Sequence, residues 1–251
     1  MASVKQKLYC KKGYNRIYGE AHIPDDAKGP FPTVIYAHGL GNNMQPYPME
    51  RLVEQGVAVY CFDFCGGSFS SRSDGESIEM SAMTEVDDLN AVIDTLKKQD
   101  FVDEKNLFLC GMSQGGYVST MLASQRPTEI RGLILLCPAY VIQYQFKDQF
   151  KRKEHIPAIF LFSNMTIGRR YVEDIWEIDI YNQMEKYPND VLIFHGDADE
   201  LVPLSFSERA TVCFPAAELV VLHGESHMLT WRYEDNFFRM TMDYIKKHLK
   251  N

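Results

Sequence analysis

Leu107-Phe108-Leu109-Cys110-Gly111-Met112-Ser113-Gln114-Gly115-Gly116 is the stretch on which the fold turns. Its four leading apolar residues suit a strand buried on both faces, and Gly116 to Arg126 suits a helix. Between them stands G-x-S-x-G, whose chemistry depends on this strand, tight turn and helix context. The turn strains the serine backbone and pushes its hydroxyl into the open, while the glycines leave room for close chain approach. With 16 glycines in the chain, random order would give roughly 0.06 such matches, before any demand for a flanking strand and helix.

The stretches around this motif alternate between apolar runs and helix-patterned segments, which predicts an α/β fold with a mainly parallel sheet. The expected strands are Thr33–Ala37, Val57–Phe62, Leu107–Cys110, Leu133–Leu136, Val191–Phe194 and Leu219–Leu222. Segments near Lys7–Cys10 and Arg16–His22 read as an N-terminal hairpin turning at Gly13-Tyr14-Asn15. Met49, Leu52 and Val53 share a helix face that stops at Gly56. Thr84-Glu85-Val86-Asp87 reads as a capped helix start, continued by Leu89, Val92, Ile93 and Leu96. A last helix carries Phe238, Met242, Ile245 and Leu249 on one side. These stripes are read as core packing.

One region breaks the rhythm. From about Pro138 to Pro188, more than fifty residues lack clean periodicity, which in a compact domain marks a lid or binding element. It holds Tyr140, Tyr144, Phe146, Phe150, Trp176, Tyr181 and a basic run, Lys151-Arg152-Lys153; Ile156–Phe162 reads as a strand or a short helix. For any single one of these aromatics the preferred reading is the small core of that insertion rather than a binding surface. Residues 1–251 are expected to form one domain, with the insertion as its lid rather than a second domain.

Composition narrows the classes of function. The chain has 45% hydrophobic and 24% charged residues, ordinary for a globular protein. A net charge of −8 argues against nucleic acid as a partner. No apolar stretch reaches the ~18 residues of a membrane span, and Met1 to Lys7 lacks a secretory apolar core. A cytoplasmic address is therefore expected, in keeping with six cysteines read as small hydrophobes. Cys61 and Cys65 lack a second ligand pair with metal-site spacing, so no metal is expected. A homodimer is compatible with this composition.

Serine needs a base to take its proton, and the base needs an acid behind it. The chain supplies them in the order Ser, Asp, His, each just after an expected strand. His195-Gly196-Asp197-Ala198-Asp199-Glu200 offers three acids; Asp199, one loop step beyond the strand, is preferred, with Asp197 as the rival brace of the turn and Glu200 facing solvent. His227, between the last strand and the last helix, is the expected base, and His223 is read as structural. His22, His155, His195 and His248 are set aside because no acid stands at a suitable chain position. The expected oxyanion donors are the N–H groups of Gln114 and of Leu40, the latter in the loop His38-Gly39-Leu40-Gly41-Asn42. His38 is read as holding that loop, and Asp63 as a loop anchor.

With Ser113, Asp199, His227 and the His38-Gly39 loop in place, the chain resembles the α/β-hydrolase superfamily nearly end to end. Gly111-Met112-Ser113-Gln114-Gly115-Gly116, the insertion after the sixth strand and His195 to Pro203 are similar to bacterial cinnamoyl and feruloyl esterases. That resemblance implies a lid over an aromatic acyl group and matches their triad acid to Asp199. Two departures are Met112, where many such enzymes have His, and Cys65-Gly66-Gly67 in place of a Gly-His-Gly-type core. The function expected is hydrolysis of small-molecule carboxylic esters through an acyl-enzyme, aromatic or short-to-medium in the acyl part, without a cofactor. The alternatives are an aminopeptidase-like amide hydrolase or acyltransferase using the same triad, and a non-catalytic ligand-binding protein on the same fold.

Overall fold

A computed structural model describes residues 3–25, 29–45, 49–230 and 232–250. The chain opens with a hairpin, β1 (Ser3–Lys12) and β2 (Asn15–Pro24), followed by β3 (Phe31–Ala37), α1 (Glu50–Val53) and β4 (Ala58–Phe62). Next come α2 (Ala82–Leu96), β5 (Val102–Met112), α3 (Gln114–Gln125) and β6 (Ile130–Leu136). The long connection holds α4 (Ile142–Phe150), β7 (Ile159–Phe162), β8 (Met165–Gly168), α5 (Arg170–Glu173) and α6 (Ile180–Met184). The chain closes with β9 (Val191–Gly196), α7 (Ser205–Cys213), β10 (Ala217–Leu222) and α8 (Glu234–His248).

Eight strands form one sheet in the order β1-β2-β4-β3-β5-β6-β9-β10. From β4 to β10 every pairing is parallel, and only β1 and β2 join antiparallel. This is the α/β-hydrolase architecture. Each expected strand is present, because parallel strands covered on both sides must be apolar throughout. Alternate residues feed two cores: Leu107 and Leu109 of β5 pack with α2 and α3, whereas Phe108 and Cys110 pack with α1 and α8.

Several details differ from the sequence reading. The hairpin turns on Gly13 and Tyr14 alone, since Asn15 already pairs with Lys12. Helix α2 begins three residues earlier than expected. Ser81 is its cap, accepting from the Thr84 N–H while Thr84 Oγ1 accepts from the Ser81 N–H. Thr84 is therefore the inner half of a capping box. On α8 the buried stripe is Phe237, Thr241, Met242, Ile245 and His248, so Leu249 lies outside it, exposed.

The segment between β6 and β9 stacks over the sheet's carboxyl edge. Of Ile156–Phe162, the last four residues form β7, paired antiparallel with β8. Phe146, Phe150, Phe160, Phe162 and Tyr171 form an aromatic cluster continuous with the main core. The packing burden thus falls on aromatics, as it does wherever a short insertion has few positions to fill. We call this segment the cap.

Candidate active site

Parallel strands send their C-terminal ends to one edge of the sheet, where α/β proteins place ligands. Ser113 follows β5 directly and is held at φ 53° and ψ −119°. A side chain on Gly111 would meet Gly115 O at 2.4 Å, and one on Gly115 would meet Ala37 O at 2.1 Å. Both glycines are thus required by the closeness of strand, turn and helix rather than by chain flexibility. The Ser113 N–H donates to Leu136 O at 2.8 Å, and the Ser113 carbonyl accepts from Gly116, Tyr117 and Ala139 at 3.0, 3.2 and 2.9 Å. These bonds fix the strained residue in place.

The structure brings Ser113, His227 and Asp199 together from three strand ends. Ser113 Oγ lies 2.9 Å from His227 Nε2, and His227 Nδ1 lies 2.7 Å from Asp199 Oδ2. A carboxylate only accepts, so Nδ1 carries the imidazole proton and the Nε2 lone pair faces the serine hydroxyl. Asp199 Oδ1 accepts the Leu201 and Val202 N–H groups at 2.9 and 2.8 Å. Burial alone would raise the Asp199 pKa, but hydrogen bonds from His195, His227 and Val202 outweigh it and hold the carboxyl well below its ordinary range. It is therefore ionised wherever the fold is intact near neutrality.

The rival residues sit elsewhere. Asp197 braces the loop after β10, accepting from His223 Nδ1 at 2.8 Å and the Gly224 N–H at 2.6 Å. His223 is 81% exposed, and Glu200 is exposed. His38 is buried, with Nδ1 2.8 Å from Gly39 O and Nε2 accepting the Phe64 N–H at 3.0 Å. Desolvation lowers its pKa, so it stays neutral and ties the loop after β3 to the loop after β4. Asp63 anchors the same region by accepting the Met44 and Arg72 N–H groups.

Setting His195 and His248 aside for want of an acid needs correction. His195 Nε2 lies 3.3 Å from Asp199 Oδ2 and 2.9 Å from Val202 O, while Nδ1 meets Ser207 Oγ at 2.7 Å. It shares Asp199 Oδ2 with His227; the four-residue spacing of His195 and Asp199 is the signal that could have found it. His248 pairs with Asp190 at 2.5 Å, far from Ser113 in the fold, at the amino edge of β9. Glu225 was also unread. Buried in the loop that carries His227, it accepts from the Thr230 N–H, Thr230 Oγ1 and Arg232 Nε.

Leu40 and Gln114 line the same cavity as Ser113 and His227. Gln114 is the first residue of α3, so its N–H has no partner within the helix and feels the positive end of the dipole. Gly39 brings the β3 loop against the serine: a side chain there would meet Ser113 Cβ at 3.0 Å.

The cavity holds about 300 Å³. Its wall is mostly apolar, with Met112, Ala139, Val141, Ile142, Phe162 and Leu201, and Asn42, Gln145 and Ser163 add polar points. Among the described residues no carboxylate lines it. Of the cap aromatics singled out in the sequence, none lines the cavity; Phe162 and Tyr171 do. Tyr140, Phe146, Phe150, Trp176 and Tyr181 are core, and Tyr144 is half-exposed beside Phe206.

Cys137, His195 and Asp199 are the described residues whose ligand atoms cluster within 4.8 Å. Both His195 nitrogens and the facing Asp199 oxygen are engaged in the bonds above, and burial pushes the Cys137 thiol up to about 12. This donor set is organised for hydrogen bonding, not for a metal. No helix among the described residues is long and apolar enough to cross a membrane.

The family model Hydrolase_4, described as serine aminopeptidase S33, matches residues 28–175, more than half of the chain. The chain belongs to that family. The chain is 28% identical over 160 residues to monoglyceride lipase of Mus musculus, covering 61% of this chain and 51% of the lipase. It spans about half the length of that relative. The pimeloyl-[acyl-carrier protein] methyl ester esterase of Hamiltonella defensa is 20% identical, covering 87% of this chain and 94% of the esterase. Est1E from Butyrivibrio proteoclasticus, solved with ferulic acid bound, superposes with a TM-score of 0.86 at 24% identity, over 96% of this chain and 98% of Est1E. That likeness shows a shared fold, cap included in its span.

Proposed function

We propose that this Hydrolase_4 protein is a serine esterase that cleaves small carboxylic esters through an acyl-enzyme. The observation that carries the reading is the unbroken chain Ser113 Oγ, His227 Nε2, His227 Nδ1, Asp199 Oδ2, with links of 2.9 and 2.7 Å, opening into an apolar cavity. His227 takes the Ser113 proton as Oγ attacks the ester carbonyl, and Asp199 stabilises the imidazolium that forms. The N–H groups of Leu40 and Gln114 receive the oxyanion. His227 then gives its proton to the departing alcohol. In the second half it takes a proton from water, whose oxygen attacks the acyl carbonyl and returns Ser113 to its free form. Water and ester are the only reactants, and no cofactor enters.

The cavity favours an ester over a peptide with a free amino terminus. An aminopeptidase must pair its substrate's ammonium with a carboxylate, because an unpaired charge in a partly buried pocket is costly. The apolar wall and a volume of about 300 Å³ suit an aromatic or short-to-medium acyl group. The similarity to a monoglyceride lipase, a methyl ester esterase and Est1E with ferulic acid bound agrees with ester chemistry.

The test is a panel of p-nitrophenyl acetate, butyrate and decanoate with methyl ferulate, run on wild type and Ser113→Ala. Ester turnover lost in the variant is expected, with butyrate or ferulate preferred over decanoate. Turnover of amino-acid anilides in preference to every ester would replace this reading with the aminopeptidase one.

A further inference from the structure

Behind the proposed oxyanion donor lies a polar chain that the hydrolytic steps above do not use. The Gln114 side chain is 1% exposed and held between α2 and the cap. Its Nε2 donates to Glu85 Oε2 at 2.8 Å, and its Oε1 accepts from the Tyr171 hydroxyl. Glu85 belongs to α2, Gln114 to the elbow and Tyr171 to α5 in the cap, so one three-residue chain joins three parts of the fold. All three side chains are fully buried, where a broken polar contact costs far more than at the surface.

The chain is costly to build. Glu85 Oε1 has no hydrogen-bond partner among the described residues. Gly67 leaves it room, because a side chain there would meet that oxygen at 2.5 Å. An apolar residue at position 85 would fill the same space without an orphaned oxygen. Packing alone therefore does not account for Glu85. The cap is also pinned at the start of α2 and in the turn before it: Ser81 Oγ donates to Asp174 Oδ2 at 2.7 Å, and Ser77 Oγ donates to Thr166 O at 2.6 Å.

Gln114 carries the peptide N–H that the proposed mechanism aims at the oxyanion. Its side chain and that N–H share one Cα, so anchoring the carboxamide at both ends restricts rotation of the N–H. Preorganised donors are effective because they need no reorientation as charge develops. We propose that Glu85 and Tyr171 are positioning residues that hold Gln114 in its oxyanion-binding orientation, linking the seating of the cap to the rate of acyl transfer. The proposal rests on the esterase reading above, since it needs an oxyanion at that position.

The test uses the full chain with p-nitrophenyl butyrate and, separately, the rate at which a fluorophosphonate labels Ser113. Tyr171→Phe keeps the ring and removes only the hydroxyl; Glu85→Gln keeps the acceptor for Gln114; Glu85→Ala removes it. Loss of a full oxyanion donor costs about 10²–10³ in kcat, so misaiming one is expected to cost about tenfold. The expected result is that Tyr171→Phe and Glu85→Ala lower kcat and the labelling rate together by about tenfold with KM unchanged, while Glu85→Gln restores both. A structural role alone would lower the melting temperature without that kcat-specific loss or that rescue. If Glu85→Ala does not fold, Tyr171→Phe against wild type decides by the same split. Wild-type kcat in Tyr171→Phe would overturn the positioning role and leave the esterase reading standing. Absence of both ester turnover and Ser113 labelling in wild type would remove the esterase reading, and the positioning role with it.

Discussion

Exchanging Asp199 for Asn is the most informative single change, because the structure dictates how the new amide must turn. Asp199 Oδ1 accepts two backbone N–H groups, from Leu201 and Val202, at 2.9 and 2.8 Å. An Asn side chain keeps both only by directing its carbonyl oxygen toward them. Its NH₂ then faces His227 Nδ1, where Oδ2 stood at 2.7 Å. A donor there forces Nδ1 to accept, so the imidazole proton moves to Nε2 and points at the Ser113 hydroxyl. The base is then in the wrong tautomer, which in a serine triad is worth about 10⁴ in kcat, or about 5 kcal/mol at ~1.36 kcal/mol per tenfold. Because the two backbone contacts survive, the loop holding residue 199 should stay in place. Initial rates on p-nitrophenyl butyrate near pH 7.5, alongside thermal melts, separate the two effects. Expected is a fall in kcat of about 10³–10⁴ with KM within a few-fold and a modest change in melting temperature. Retention of more than a tenth of wild-type kcat would refute the reasoning.

Four further outcomes follow from the same geometry. His223→Ala should leave kcat within about threefold of wild type, since that exposed ring braces Asp197 and not Ser113; a loss as large as that of His227→Ala would show that the wrong histidine had been chosen. Gly115→Ala should destabilise the fold by about 2 kcal/mol or more, because its Cβ would stand 2.1 Å from Ala37 O, and an unchanged urea midpoint would contradict the packing described. Ile142→Trp, adding bulk to the cavity wall, should lower turnover of butyrate relative to acetate by about tenfold; an unaltered ratio would mean the acyl group lies elsewhere. Burial lifts the Glu85 pKa well above the ordinary carboxyl range, against the Gln114 hydrogen bond. Above pH ~4.3 the unfolded chain gives up a proton that the folded protein keeps, so Glu85 subtracts stability as pH rises toward its folded value. Glu85→Gln should therefore gain on wild type in melting temperature between pH 5 and pH 8, and the opposite trend would count against a neutral Glu85.

The sheet was legible because its strands carry a strong physical signal. Buried parallel strands must be apolar throughout, and runs such as Val191–Phe194 have no other comfortable place in a chain of this charge. Ser113, Asp199 and His227 were legible for a different reason: each directly follows such a strand, so the topology itself carries them to one edge. Contacts that join distant parts of the chain leave no such trace. The hydroxyl of Tyr171 meets Gln114 across 57 residues, and Ser81 meets Asp174 across 93. Neither pair has a period or a spacing to read. The preferred reading of the cap aromatics as the insertion's own core holds for Phe146 and Trp176, whereas the two aromatics that line the cavity, Phe162 and Tyr171, were not singled out. His195 was within reach, four residues from Asp199, but a contact over four residues just past a strand has no periodicity to mark it, and no acid was paired with it.

The most direct test of the central claim is the intact mass of the protein after rapid mixing with p-nitrophenyl butyrate and acid quenching, followed by peptide mapping. An acyl-enzyme mechanism predicts one butyryl group on the peptide containing Ser113, accumulating in wild type and absent from Ser113→Ala. Turnover of the ester with no acyl group on Ser113, or an equal adduct in the Ser113→Ala protein, would contradict it.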